Sequence, residues 1–160
     1  MILSFILNLF KLNTFFNDYS YKLLLGDFLT TFKSIEEARE FFKGDKFATN
    51  IGVQLDELGE DYCICSLEIK EDFKNAYGAV MGGAIFTLGD FAFAVLSNQL
   101  HRPTVGLQVS INYLSGAKGE KLIAKAHYRK DGRTTSVINV DITDDTGREI
   151  AQFVGTGYKM

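Results

Sequence analysis

A glycine pair followed by a single carboxylate is the feature of this chain best suited to chemistry. Gly82 and Gly83 open an apolar stretch with helical spacing, and Asp90 lies in the middle of it. Burying an unpaired carboxylate costs several kcal/mol, so a chain seldom places one in an apolar helix without a use for it. Glycines at a helix start leave N–H groups bare where the helix dipole is positive, which favours an oxyanion. A base or nucleophile beside an oxyanion site is the minimum arrangement for acyl transfer.

The spacing of these residues sets a condition on the site. Gly82 and Asp90 are eight residues apart, so on one helix they lie ~12 Å from each other. An oxyanion donor must lie about 3 Å from the carbonyl oxygen, and a base or nucleophile about 3 Å from the carbon. One helix cannot place both on a single acyl group. If both act, they come from two subunits with antiparallel helices across a two-fold axis, which predicts a homodimer with two composite sites.

A structural role is the alternative for Asp90, which could face solvent or cap a neighbouring loop. Helical spacing places it on a stripe of small or weakly polar residues: Gly83, Thr87, Asp90, Ala94 and Ser97. Because phenylalanines at positions 86, 91 and 93 flank the stripe, we expect it not to be fully exposed, and we favour catalysis.

The elements that must position these residues follow from periodicity. Ser34 and Glu37 have capping-box spacing and predict a helix over 34–44. The long helix spans 82–98. Alternating apolar residues predict strands over 51–58, 61–70, 104–114, 122–129, 134–143 and 148–159, with a hairpin signal at 130–132 and a turn at 144–147. Antiparallel strands with one apolar helix against one face predict an α+β domain.

Composition excludes several classes of protein. A net charge of −3 over 160 residues argues against a nucleic-acid binder. The two cysteines, Cys63 and Cys65, point the same way on a strand and are too close in sequence to cross-link separate segments by a disulfide. With no CxxC motif and no histidine cluster, we expect no metal site, and the thiols indicate a reducing, cytoplasmic location.

The first 33 residues form an apolar extension. Six of them recur at helical spacing: Ile2, Phe5, Ile6, Leu9, Leu12 and Phe16. The apolar run is too short for a membrane span and lacks the basic start and cleavage site of a signal peptide. A membrane-surface helix would need more cations than Lys11 and Lys22. We expect a segment that packs on the body, or chain translated upstream of the true start.

Other constellations are weaker. A Ser-His-Asp triad would need His101 or His127 beside a serine, and we expect both histidines at the surface.

A basic cluster lies within the 16 residues 118–133, which contain only two carboxylates. Its members are Lys118, Lys121, Lys125, Arg129, Lys130 and Arg133. It suits a polyphosphate such as that of coenzyme A. A solvated strand face with edge-protecting lysines explains it equally well.

The segment from residue 34 to 160 resembles the hotdog-fold acyl-CoA thioesterases of the PaaI-like, 4-hydroxybenzoyl-CoA thioesterase type. The resemblance is strongest from Asn75 to Asp90, with support at 110–113, 131–134 and 145–151. It implies a curved antiparallel sheet of about five to six strands around one long helix. It also implies dimers that pair further into tetramers, and no cofactor beyond the coenzyme A of the substrate.

The resemblance also implies roles residue by residue. Asp90 matches the acid that activates water or attacks the thioester. Gly82 matches the glycine whose N–H polarises the thioester oxygen, and Asn75 matches an asparagine that positions substrate or water. Acid and glycine belong to opposite subunits in that family, in agreement with the spacing. We expect a further set to contact substrate: Met81, Gly83, Tyr77, Phe86, Arg133 and Thr134.

Two departures from the family pattern leave alternatives open. Met81 stands where the family usually has histidine, so a side-chain donor is lost. Gly106 stands where some relatives have serine or threonine, with Thr104 and Gln108 as possible substitutes. We therefore favour hydrolysis of acyl-CoA thioesters. A non-hydrolytic acyl-CoA-binding module is the second hypothesis, and a hydratase on the same fold is a weaker third.

Overall fold

The computed structural model describes residues 30–160, of which Thr31–Met160 form one compact unit. Its helices are α1 (Ile35–Phe42), α2 (Lys46–Ile51) and α3 (Gly82–Leu100), with a 3-10 turn at Glu71–Phe73. Its strands are β1 (Gln54–Leu58), β2 (Tyr62–Glu68), β3 (Thr104–Tyr113), β4 (Lys121–Asp131), β5 (Thr135–Asp144) and β6 (Glu149–Lys159). Residues 1–29 of the extension predicted over 1–33 lie outside the described residues. Nowhere in residues 30–160 is a helix long and apolar enough to cross a membrane.

The strands form one antiparallel sheet in the order β1-β2-β4-β5-β6-β3. Strand β3 lies at an edge, where β6 is its one partner among the described strands. Helix α3 packs across the sheet against β2, β3, β4, β5 and β6. This arrangement confirms the α+β hotdog architecture, with six strands wrapped around one long helix.

Two glycines let α3 approach the sheet closely. A Cβ at Gly89 of the helix would lie 3.1 Å from the Phe153 ring on β6. A Cβ at Gly155 of β6 would lie 2.5 Å from the Phe93 ring on the helix. Since carbon atoms pack at about 3.5–4.0 Å, any larger residue at either position would push helix and sheet apart.

The cysteines of β2 belong to this packed layer. Cys63 and Cys65 are both buried and free, as the strand alternation predicts. The Cys63 thiol donates to the Ala92 carbonyl of α3 at 3.3 Å. Burial raises the pKa of the Cys65 thiol well above its ordinary value, so this thiol is an unreactive core group.

A buried carboxylate organises the turn between β5 and β6. Asp144 accepts hydrogen bonds from the Thr146 hydroxyl at 2.6 Å and from the N–H groups of Lys118 and Gly119 at 2.9 and 3.1 Å. These donors, the Thr146 hydroxyl first, hold the pKa of Asp144 well below its usual range. The predicted turn at 144–147 thus also fixes the loop that precedes β4.

The structure corrects the prediction of a strand over 51–58. Residues 46–51 form α2, and β1 begins only at Gln54. The Asp45 side chain caps the helix by accepting from the Ala48 N–H at 3.3 Å, and Gly52 ends it with a φ of 104°. A helix of six residues is too short for periodicity to reveal.

Candidate active site

The loop before α3 is shaped by Asn75. Its side-chain oxygen accepts from the N–H groups of Tyr77 at 2.9 Å and Ala79 at 3.2 Å. The backbone closes the same turn, since Asn75 N–H donates to the Ala79 carbonyl at 2.8 Å. Gly78 has the positive φ of 75° that the turn requires. The Asn75 amide nitrogen has no acceptor among residues 30–160, so it is available as a donor on an exposed loop.

The start of α3 presents two unpaired amides. Met81 is the N-cap residue, its side chain makes no capping hydrogen bond, and its N–H donates to the Phe73 carbonyl at 2.7 Å. The first internal bond of the helix runs from the Ala84 N–H to the Met81 carbonyl at 3.0 Å. In the described part of the chain, the N–H groups of Gly82 and Gly83 have no acceptor. They therefore form a small donor site at the positive end of a helix.

Sequence reasoning missed the residue that covers this donor site, Tyr113 at the end of β3. Its hydroxyl donates to the Gly82 carbonyl at 3.0 Å. A Cβ at residue 82 would lie 3.0 Å from the Tyr113 ring, so this contact explains the glycine. Alternation along β3 indicates which face Tyr113 occupies, but no pattern in the sequence indicates a partner 31 residues away.

Asp90 lies on the part of α3 that the sheet leaves uncovered. Heavier side chains of the helix, among them Leu88 and Leu96, face the sheet and are buried, whereas Asp90 is exposed in the protomer. Along the predicted stripe Gly83 and Asp90 are exposed, Thr87 and Ala94 are half-buried and Ser97 is buried, so the stripe is not a uniformly solvated face. Asp90 has no hydrogen-bond or cationic partner within residues 30–160. Desolvation by its surroundings, and then the charge of Asp45, raise its pKa above the usual value.

Gly82 and Asp90 are both on α3, so the ~12 Å of separation expected from the helical rise applies. Between them Phe86 is half-buried, with its ring 5.5 Å from that of Phe153. Tyr77, in the preceding loop, is 95% exposed. One protomer therefore supplies donors, an acid and aromatic surface, but it does not bring the donors and the acid together.

Arg133 and Thr134 lie far from the donor site. They are exposed in the β4–β5 hairpin, where the Thr134 carbonyl accepts from Lys159 N–H at 2.9 Å. Lys159 pairs with Thr104 at the start of β3. Tyr113, which contacts Gly82, lies nine residues further along the same strand. At about 3.3 Å per residue, the two groups are roughly 30 Å apart in one protomer.

Three members of the basic cluster, Lys121, Lys125 and Arg129, lie on the outer face of β4, whereas Lys118 precedes the strand and Arg133 follows it. Lys121 lies 3.4 Å from the Glu68 carboxylate, while Lys125 and Arg129 are exposed. His127, on the same face, lies 3.8 Å from the Asp141 carboxylate. His101 follows the end of α3, eleven residues or ~16 Å from Asp90 along the helix. Neither histidine is placed to act with that carboxylate in one protomer.

Known proteins similar to this chain are thioesterases and esterases. The thioesterase superfamily model matches residues 77–151. The chain is similar to a putative esterase of Archaeoglobus fulgidus, with 30% identity over 79% of this chain and 83% of the relative. It is also similar to the acyl-coenzyme A thioesterase PaaI of Escherichia coli, with 25% identity over 80% of this chain and 92% of the relative.

Solved structures show the same fold. The E. coli PaaI structure superimposes with a TM-score of 0.73 at 23% identity, covering 77% of this chain and 90% of that one. A hypothetical thioesterase from Streptococcus pneumoniae, solved with coenzyme A, has a TM-score of 0.68 at 28% identity, covering 74% of this chain and 96% of that one.

Proposed function

This chain belongs to the thioesterase superfamily as a PaaI-like hotdog thioester hydrolase, and we propose that it hydrolyses acyl-CoA esters at a site shared by two subunits. Gly82 of one subunit supplies the oxyanion donor, and Asp90 of the other supplies the base or nucleophile. The observation that carries this proposal is the pair of unpaired N–H groups at Gly82 and Gly83, on the same helix as a carboxylate that cannot reach them.

The edge strand supports a dimer. Among residues 30–160, no strand pairs with the outer edge of β3, and two of its apolar side chains, Val105 and Leu107, are 46% and 64% exposed. Unpaired apolar edges of this kind pair with a second strand. A second copy joined antiparallel at β3 would extend the sheet across a two-fold axis and bring the uncovered stripes of the two α3 helices together. Further pairing of dimers into tetramers stays a prediction.

The chemistry follows from the groups in the shared site. The thioester oxygen accepts from the Gly82 N–H, which stabilises the negative charge that develops on that oxygen. In one route, Asp90 takes a proton from water as the water oxygen bonds to the carbonyl carbon. The carbon–sulfur bond then breaks, and the thiolate leaves and recovers the proton. In the other route, the Asp90 carboxylate attacks the carbonyl carbon and the carbon–sulfur bond breaks, so that a mixed anhydride forms and coenzyme A leaves as a thiolate. Water then hydrolyses the anhydride to the free acid and the Asp90 carboxylate, and the proton released goes to the thiolate.

The remaining candidates contact substrate in this proposal. The free amide nitrogen of Asn75 orients water or the thioester carbonyl, and Gly83 adds a second backbone donor. Tyr77, Met81 and Phe86 line the path of the acyl group. Arg133 and Thr134, distant from Gly82 in one protomer, contact the coenzyme A moiety from a neighbouring subunit. The S. pneumoniae thioesterase solved with coenzyme A supports that choice of leaving group.

Thiol release from a panel of short, long and aryl CoA esters tests the proposal. Wild type should turn over at least one ester, and Asp90→Asn should lose about 10³-fold or more in kcat. Asp141→Asn, an exposed carboxylate on β5, is the matched control and should keep full activity. Full activity in Asp90→Asn would refute this mechanism. Saturable binding of the esters without thiol release would instead favour the binding module that Met81 suggests.

A further inference from the structure

We propose that Tyr113 is a positioning residue that holds and polarises the Gly82–Gly83 peptide, so that Gly83 N–H acts as a second oxyanion donor. The inference rests on the proposed function and assigns a role to a residue outside the segment from Asn75 to Asp90. It concerns the same donor site, but a side chain that does not touch the substrate.

The direction of the Tyr113 hydrogen bond is fixed by chemistry. Its hydroxyl oxygen lies 3.0 Å from the Gly82 carbonyl oxygen, and a carbonyl oxygen only accepts. The Gly82 carbonyl and the Gly83 N–H belong to one peptide group, whose atoms share electrons by resonance. A donor on the carbonyl draws electrons from the nitrogen, so the N–H becomes a stronger donor on the other side.

The sheet holds Tyr113 in place for this task. Tyr113 pairs with Ala151 of β6, and the next residue, Leu114, donates from its N–H to the Ile150 carbonyl at 2.8 Å. The ring lies over Gly82 so closely that an added Cβ would be 3.0–3.3 Å from three of its atoms. The donor site is thus fixed from the sheet side as well as by its own helix.

No other side chain of the described residues polarises this peptide. The Met81 side chain has no polar hydrogen to donate and makes no capping hydrogen bond. The Gly83 N–H has no acceptor in residues 30–160, so it remains available to a substrate oxygen. Tyr113 therefore supplies, through the backbone, part of the polarisation that a side-chain donor at position 81 would give directly.

Tyr113→Phe tests this role because it removes only the hydroxyl. We expect kcat to fall about tenfold with KM within about twofold, a smaller loss than the hundredfold or more seen when a direct oxyanion donor is removed. Tyr62→Phe is the matched control, since Tyr62 is a strand tyrosine on β2 whose hydroxyl meets only Glu57, at 3.4 Å. It should leave both constants unchanged.

A second measurement does not depend on turnover. In protein labelled with 15N-glycine, the Gly83 amide proton, assigned with Gly83→Ala, should move upfield in Tyr113→Phe and not in Tyr62→Phe. An unchanged Gly83 resonance, an unchanged kcat, or a change confined to KM would overturn the inference. If wild type turns over no CoA ester, or Asp90→Asn stays fully active, the proposed function fails instead. The resonance then still decides whether Tyr113 polarises the peptide.

Discussion

Adding one methyl group at residue 82 or at residue 83 should have opposite effects on stability. At residue 82 the new Cβ would lie 3.0 Å from Cζ of Tyr113 and 3.1 Å from its hydroxyl oxygen. Carbon atoms pack at about 3.5–4.0 Å, so the ring must move by about 0.5–1 Å, and its hydrogen bond to the Gly82 carbonyl is lost. At residue 83 the new Cβ would meet only the methyl end of Met81, at 3.0 Å. That side chain is 54% exposed and can rotate away.

The magnitudes follow from these contacts. Alanine in a helix gains roughly 0.5–1 kcal/mol over glycine, so Gly83→Ala should raise the free energy of unfolding by up to that amount. In Gly82→Ala the same gain is offset by about 1–3 kcal/mol of overpacking and about 1 kcal/mol for the lost hydrogen bond. The net effect of Gly82→Ala is a loss of about 1–3 kcal/mol.

Urea unfolding of both variants measures the difference, and a double variant identifies its cause. Tyr113→Ala should cost less in the Gly82→Ala background than in wild type, because in that background it also removes the clash with the new Cβ. Thiol release should fall in Gly82→Ala, where the Tyr113 hydrogen bond to the residue 82 carbonyl is lost, and fall less in Gly83→Ala, where that contact is kept. Equal unfolding midpoints for the two glycine variants would refute the role assigned to Tyr113 in fixing this loop.

Three further variants test other parts of the account. Asp45→Asn keeps a capping side chain on α2 but removes a charge that raises the Asp90 pKa. The fall of kcat/KM on the acid side of its pH profile should therefore move to lower pH, and an unchanged profile would contradict this. Asp144→Asn should destabilise the fold most at neutral pH. Because folding lowers the Asp144 pKa, its stabilisation is present above the unfolded pKa and is lost as pH falls, so urea midpoints of variant and wild type should converge in acid. Leu107→Glu places a charge on the exposed edge of β3 and should shift the proposed dimer to monomer in sedimentation, with loss of turnover.

The long elements were predictable from the sequence because they show many periods. Helix α3 and strands β4, β5 and β6 lie within a few residues of their predicted bounds. The stripe that carries Asp90 followed from the same spacing. A six-residue helix gives less than two turns of evidence, which is why the sequence predicts no helix at α2 and assigns its last residue, Ile51, to a strand.

Contacts between distant segments were not predictable. The apolar residues Val105 and Leu107 alternate with their neighbours, yet a bulge between Gly106 and Gln108 interrupts the pairing of β3, and both side chains are exposed at the edge. The Tyr113–Gly82 contact depends on where β3 ends relative to the start of α3. Local spacing sets which face a residue occupies, whereas partners across the fold depend on the whole topology.

Activity of a purified mixed dimer tests most directly whether each site is built from two subunits. One subunit carries Asp90→Asn and the other carries Gly82→Pro, which removes the donor hydrogen at a helix position where proline is tolerated. With different tags on the two subunits, the mixed dimer can be isolated from its inactive parents. A shared site predicts one intact and one doubly altered site per dimer, and so about half of the wild-type kcat. A mixed dimer as inactive as either parent would contradict the claim.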